Sequence, residues 1–204
     1  SHYIPCNIVI SVAGNIDIKE TLKLLEYNFG DFNIEHNNSP INTHDYMFKF
    51  KKKMNGIVKD TEQLNMCLGM EGIAIGDDNI YPLCIMNNVF GGSMSSRLFQ
   101  RIREEQGLAY SVYSHPSSYK ETGSFTIYAG LDKKQIYNFV NSLKADIEDL
   151  KLNLINKDEF LKSKEQLKGN YILGLESTSS RMSELGRNEL MLDKIHSPKE
   201  TLNK

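Results

Sequence analysis

The chain has 204 residues, 40% of them apolar and 25% charged, a mix that describes a globular protein with a core and excludes a disordered one. A formal net charge of −2 supplies no whole-molecule field for nucleic acid or anionic membrane, and no apolar run approaches the roughly 18 residues that span a bilayer. Cys6, Cys67 and Cys84 are odd in number and lack a Cys-x-x-Cys spacing, which points to a reduced, cytoplasmic compartment with cysteines used as small hydrophobes.

Residues 8–13 predict a short apolar strand ending at Gly14-Asn15. Asp17 stands three positions before Glu20, a capping-box spacing. It opens a helix that carries Leu22, Leu25 and Phe29 on one face until Gly30 stops it. The polar stretch 31–45, with Asn37-Asn38-Ser39-Pro40, reads as a linker and as the boundary between residues 1–45 and 46–204. Residues 46–53 alternate Phe48 and Phe50 with Lys49 and Lys51, the pattern of a half-buried strand. The run Lys51-Lys52-Lys53 reads as a solvated edge that discourages pairing between molecules. Asn55-Gly56 marks a turn. Alternation returns over 61–72, with Leu64, Met66, Leu68 and Met70 on one side and Asn65, Cys67 and Gly69 on the other.

Residues 81–90 read as a buried helix through Leu83, Met86, Val89 and Phe90, ended by Gly91-Gly92. A polar start at Ser93–Ser96 leads into an amphipathic helix carrying Leu98, Phe99 and Ile102. Gly107 takes the left-handed place just past its end. A strand over 108–114, rich in Tyr and Val, follows. Arg103 then falls in the last helical turn and Tyr110 at the start of the strand. On residue chemistry alone two readings stand. Arg103 is solvated or caps helix carbonyls while Tyr110 is half-buried, or both face one cleft. A second strand over 124–131 forms a hairpin with 109–118 through Lys120-Glu121-Thr122-Gly123. Asp132 caps a helix with Ile136, Phe139, Val140, Leu143, Ile147 and Leu150 at helical spacing. Asn156 with Glu159 starts another, through Phe160, Leu161, Leu167, Tyr171 and Leu175. Residues 176–180 break it before a third helix with Met182 and Leu185. Ser197-Pro198-Lys199-Glu200 is a strong helix start set a few residues from the last, which reads as a chain cut from a longer one.

A zinc hydrolase needs at least three protein ligands and a base on a metal-bound water. His2, His36, His44, His115 and His196 offer no such spacing, so no metal ligand is assigned; His115 reads as a lone surface or loop histidine. No Gly-x-Ser-x-Gly elbow, Cys/His pairing or P-loop lysine appears. Residues 106–113 superficially resemble an RNA-recognition motif, but Gln106 and Leu108 replace its basic and aromatic residues.

The run Gly91-Gly92-Ser93-Met94-Ser95-Ser96-Arg97-Leu98-Phe99, continued by Ile102-Arg103-Glu104 and Gly107-Leu108-Ala109-Tyr110-Ser111-Val112, resembles the signature of the insulinase/pitrilysin/mitochondrial processing peptidase superfamily. It is similar to the C-terminal-domain segment of those zinc peptidases, in particular the bacterial processing-peptidase-like branch. Tyr3-Ile4-Pro5-Cys6-Asn7, with Gly14-Asn15-Ile16-Asp17, resembles a segment near the end of the family's N-terminal domain, so the resemblance covers almost the whole chain.

That resemblance implies an α+β, two-layer sandwich, a mostly antiparallel sheet with helices on one face. Residues 1–45 would be the tail of the N-terminal domain, and 46–204 the C-terminal, substrate-embracing domain, truncated at its C-terminal end. The parent would be a zinc-dependent endopeptidase whose zinc ligands, in a His-x-x-Glu-His motif, lie outside this chain. On its own the chain would carry no catalytic residue, bind no zinc and cleave nothing. Its partners would be the N-terminal catalytic half and a peptide substrate, with neither nucleic acid nor membrane. In related peptidases the Arg and Tyr of Arg-x-x-x-x-x-x-Tyr reach the zinc site of the other half and hydrogen-bond substrate backbone and tetrahedral intermediate. Arg103 and Tyr110 match them, and a guanidinium and a phenol suit an oxyanion. The alternative is a non-catalytic binding or structural subunit of a processing-peptidase-like complex. The short glycine stretch, unlike the long glycine-rich loop of the processing peptidase's non-catalytic subunit, argues against it. Each half of the family closes its sheet with a late strand, expected here beyond Lys204. Residues 8–13 are therefore expected to fill the vacant edge, in their own chain or swapped into a neighbour as a homodimer.

Overall fold

The computed structural model describes residues 4–31 and 50–203. The chain divides into two compact units, Lys49–Gly169 and the combination of Ser1–Phe48 with Asn170–Lys204.

The first unit is built on a three-stranded antiparallel sheet, β1 (Gln63–Glu71), β2 (Ser111–Ser118) and β3 (Gly123–Asp132), in the order β1-β3-β2. Its register lines up the alternating residues: Leu64, Met66, Leu68 and Met70 stand opposite Leu131, Ala129, Ile127 and Phe125, while Val112 and Ser114 stand opposite Ala129 and Ile127. Because side chains alternate faces along a strand, all the apolar ones reach one side. There they join Phe90, Leu98, Ile102, Phe139 and Leu143 in a single core. The helical layer over that face comprises α2 (Ile80–Phe90), a π-helix (Phe99–Glu105) and α3 (Ile136–Asn153). The result is α+β: an antiparallel sheet with helices on one face. On the other face Asn65, Cys67, Tyr113 and His115 are exposed. Tyr113 stacks on Tyr128 at 5.0 Å between ring centroids, and the Tyr128 hydroxyl donates to Asn65 Oδ1 at 2.6 Å.

Local chemistry explains the joints. Tyr119 N–H donates to Thr122 O at 2.8 Å and closes the β2–β3 hairpin. Asp132 Oδ1 accepts from Lys134 N–H at 2.8 Å, starting the turn that leads into α3. Asn156 and Glu159 cap α4 (Lys157–Leu175) reciprocally: Glu159 N–H donates to Asn156 Oδ1 at 2.9 Å and Asn156 N–H to Glu159 Oε2 at 3.0 Å. Buried Asn88 ties α2 to α4 by donating to Ser163 Oγ at 3.0 Å and Gln166 Oε1 at 2.9 Å. At Gly91 the backbone passes so close to β2 that a Cβ would lie 2.5 Å from Ser114 Oγ and 2.7 Å from Ser114 N. Glycine is needed there for space.

The second unit is helical: α1 (Ile18–Phe29), α5 (Thr178–Leu192), α6 (Pro198–Leu202) and the last residues of α4. Asp17 caps α1 through Glu20 N–H at 2.9 Å, and Ser197 with Glu200 forms the full capping box of α6. Ser11 Oγ donates to Met182 O at 2.8 Å, and Tyr171 OH donates to Glu184 at 2.9 Å. None of α1, α5 and α6 contains a buried residue.

Four expectations meet a different outcome. Among the described residues, 8–13 form no strand and pair with none. Of the strand expected over 46–53, residues 46–49 lie outside the described residues, and 50–53 carry no strand and Asn55-Gly56 no turn, since among the described residues no strand pairs with 50–60. The strand expected over 108–114 begins at Ser111 and runs on to Ser118, because buried Leu108 and Ala109 belong to the connector that precedes it. The amphipathic helix of the signature is π-helical over Phe99–Glu105 rather than α-helical. The linker 31–45 lies, beyond Asp31, outside the described residues.

Candidate functional site

After Gly91-Gly92 the chain turns on Ser93, whose Oγ donates to Asn88 O at 3.1 Å. It enters helix at Arg97-Leu98 and widens into the π-helix. Leu98 and Ile102, four apart, are both fully buried and anchor its inner face. Burying such a side chain stabilises by about 1.5–3 kcal/mol. The helix ends with Leu108 N–H donating to Ile102 O at 2.9 Å. Gly107 sits there at φ +60°, a conformation that side-chain-bearing residues resist. Leu108 and Ala109 then plug into the core, and Tyr110 N–H donates to Gly130 O at 2.8 Å at the entrance to β2.

Arg103 and Tyr110 therefore stand on either side of the turn at Gly107, in which residues 104–107 are exposed and Leu108 and Ala109 are buried. The Arg103 side chain is 42% exposed and its Nε stands 3.8 Å from Glu104 Oε1, too far for a hydrogen bond. Its guanidinium carbon lies 4.5 Å from the centroid of the Phe99 ring, a cation–π contact that fixes the side chain without consuming its N–H donors. Tyr110 is 68% exposed. Both side chains are exposed, so the residue-level reading of Tyr110 as half-buried does not hold. A guanidinium carries five N–H donors and a phenol one O–H, donor types that suit a carbonyl, a carboxylate or an oxyanion.

Beside this pair lies an ion network that sequence reasoning missed. Arg97 Nε and Nη2 donate to the two oxygens of Glu159, each at 2.8 Å, and Nη2 also reaches Leu154 O at 2.8 Å. Arg101 Nη1 donates to Asp146 Oδ1 at 2.8 Å and Asp149 Oδ2 at 3.1 Å. The Arg97 hydrogen bond holds the Glu159 carboxyl below its usual range. Asn153 and then Arg101 do the same for Asp149. The available signal was periodic: Arg97 and Arg101 are four apart, and Asp146 and Asp149 are three apart on α3, so each pair shares a helix face.

These acids are engaged by arginines, and among the described residues no group of three or more His, Cys, Asp or Glu side chains could hold a metal ion. His115 stands exposed on β2; His2, His36 and His44 lie outside the described residues. The described residues do not fit a zinc centre, and no chemical step is routed through one. Among the described residues no helix is long and apolar enough to cross a membrane.

Comparison with known proteins places these features in a family. The model of the peptidase M16 inactive domain matches residues 1–167. The chain is 42% identical over 203 residues to the uncharacterized zinc protease YmxG of Bacillus subtilis, covering 99% of this chain and 48% of that protein. A protease from Helicobacter pylori superposes with a TM-score of 0.71 at 21% identity, over 89% of this chain and 45% of its own. A peptidase M16 inactive domain from Pseudomonas fluorescens gives 0.64 at 20% identity, over 70% and 34%. This chain belongs to the peptidase M16 inactive-domain family. It spans about half the length of the curated relatives it matches.

Proposed function

We propose that this chain is the C-terminal, substrate-embracing portion of a zinc-dependent endopeptidase whose N-terminal half carries the metal and the cleaving water. On this reading residues 1–45 close that N-terminal half, residues 46–204 enclose the peptide, and the assembled protein works in the cytoplasm. The observation that carries it is the pair Arg103 and Tyr110, both exposed, on either side of the turn at Gly107. A guanidinium and a phenol so placed bind a peptide backbone in the ground state and the oxyanion that develops on it in the transition state. Two further features support it: the family is named for an inactive domain, and a relative of about twice this length is named a zinc protease. Ile18, Leu22 and Phe29 are exposed apolar side chains on one face of α1, a surface suited to packing against the rest of an N-terminal half.

Complementation tests the reading. The purified 204-residue chain, alone, should bind no stoichiometric zinc and hydrolyse no peptide. Mixed with the separately produced N-terminal half, it should restore zinc-dependent cleavage. One dialysis-resistant zinc per chain, or cleavage by the chain alone, contradicts it. A mixture that binds peptide but never cleaves supports the non-catalytic subunit instead.

A further inference from the structure

We propose that Arg97 and Arg101 are positioning residues, clamping the π-helix Phe99–Glu105 so that Arg103 keeps a fixed direction. The inference rests on the reading of Arg103 as a substrate-side donor. It concerns residues that do not themselves touch substrate.

The geometry is that of a bolt at two successive turns. Arg97, only 12% exposed, takes both Glu159 oxygens in a fork, the bidentate arrangement that fixes orientation as well as distance. It also holds the α3–α4 connector through Leu154 O. One turn on, Arg101 takes Asp146 and Asp149 from α3. Asp149 Oδ2 is shared, accepting from Arg97 at 3.3 Å as well, so the two bolts are coupled. Glu159 is itself pinned, because it caps α4 through Asn156 N–H. The π-helix is thereby attached to two different helices at its N-terminal end, while Ile102 and Leu108 fix its inner side.

Such attachment matters because π-turns are rare and less favourable than α-turns, and occur mostly at functional sites. A segment free to relax to α-helical register would turn Arg103 about the helix axis relative to the bolted residues, carrying Phe99 with it, since residues four apart stay neighbours in either helix type. Arg103 lies two residues beyond Arg101 on the exposed side, where little else than Phe99 restrains it. The direction of Arg103 therefore depends on residues that face away from it.

The test uses the 204-residue chain and needs no substrate. Arg97→Lys keeps the charge and removes the fork. Asp149→Asn keeps the shape and removes the shared charge. NMR follows the Arg103 Nε–H signal, displaced by the Phe99 ring current, and amide exchange along Phe99–Glu105. In both variants exchange there should quicken about tenfold or more, while β3 amides change by less than about twofold. The Arg103 signal should move from its wild-type position, and a Phe99→Leu control marks where it lies without the ring. Equal quickening in the π-helix and β3 would mean a general stabilising role and overturn the proposal, as would an unmoved Arg103 signal. If Arg97→Lys fails to fold, Glu159→Gln carries the same comparison. In the two-half protein, Arg97→Lys should lower kcat with KM nearly unchanged. Lost Arg103 geometry with unchanged turnover would remove the catalytic role of Arg103 and leave the clamp standing, so the two readings fail separately.

Discussion

Leu154, between α3 and α4, adopts φ 58° and ψ −160°, a region that costs a side-chain-bearing residue about 1–3 kcal/mol. Its side chain is exposed and offers little packing in return. Its carbonyl accepts from Arg97, so the strained peptide sits within the ion network. Leu154→Gly should relieve the strain and lose about 0.5–1 kcal/mol of it to the added freedom of the unfolded chain. A net gain of about 1 kcal/mol would raise Tm by roughly 2–4 °C for a chain of this size. Differential scanning calorimetry checks this, and a fall in Tm would show that the conformation carries no strain. At Arg103 and Tyr110 the same scale of reasoning favours function over fold. Neither belongs to the core, so removing either donor should cost little stability.

Among the elements, the acidic side of the network sets a pH dependence. The carboxyls of Glu159 and Asp149 titrate below their usual ranges, chiefly through the hydrogen bonds of Arg97 and of Asn153 respectively. Their contribution is fully present above the unfolded values, about 4.3 for Glu and 3.9 for Asp, and is lost as pH falls through the lower folded ones. The denaturation midpoint should therefore drop below about pH 4. Glu159→Gln should be less stable at neutral pH yet lose less on acidification, because one fewer proton is taken up on unfolding. Parallel midpoint-versus-pH curves for variant and wild type would show that Glu159 is not coupled to the fold.

What was legible in the sequence follows the same division. β1 could be read because the two-residue alternation of Leu64, Met66, Leu68 and Met70 is a local pattern that one buried face demands. The caps at Asp17, Asn156 and Ser197 could be read because donor and acceptor lie within three residues. Residues 8–13 and the Asn55-Gly56 dipeptide could not, since strand and hairpin exist only with a partner that local pattern does not supply. The π-register could not either: Leu98 and Ile102, four apart, suit an inner face in either helix type. Arg97 meets Glu159 across 62 residues, a contact that depends on the completed fold.

For the whole molecule, every member of the buried core lies in the Lys49–Gly169 unit. The α1, α5 and α6 helices of the other unit bury no residue. The chain belongs to the peptidase M16 inactive-domain family. The central claim is that Arg103 and Tyr110 act on the transition state of peptide cleavage at a site in the other half. Its most direct test is turnover of the two-half protein carrying Tyr110→Phe or Arg103→Ala, measured beside Tm. Loss of one oxyanion donor should lower kcat about a hundredfold or more, with Tm within about 2 °C of wild type. Turnover at the wild-type rate together with a fallen Tm would contradict the account and make both residues structural.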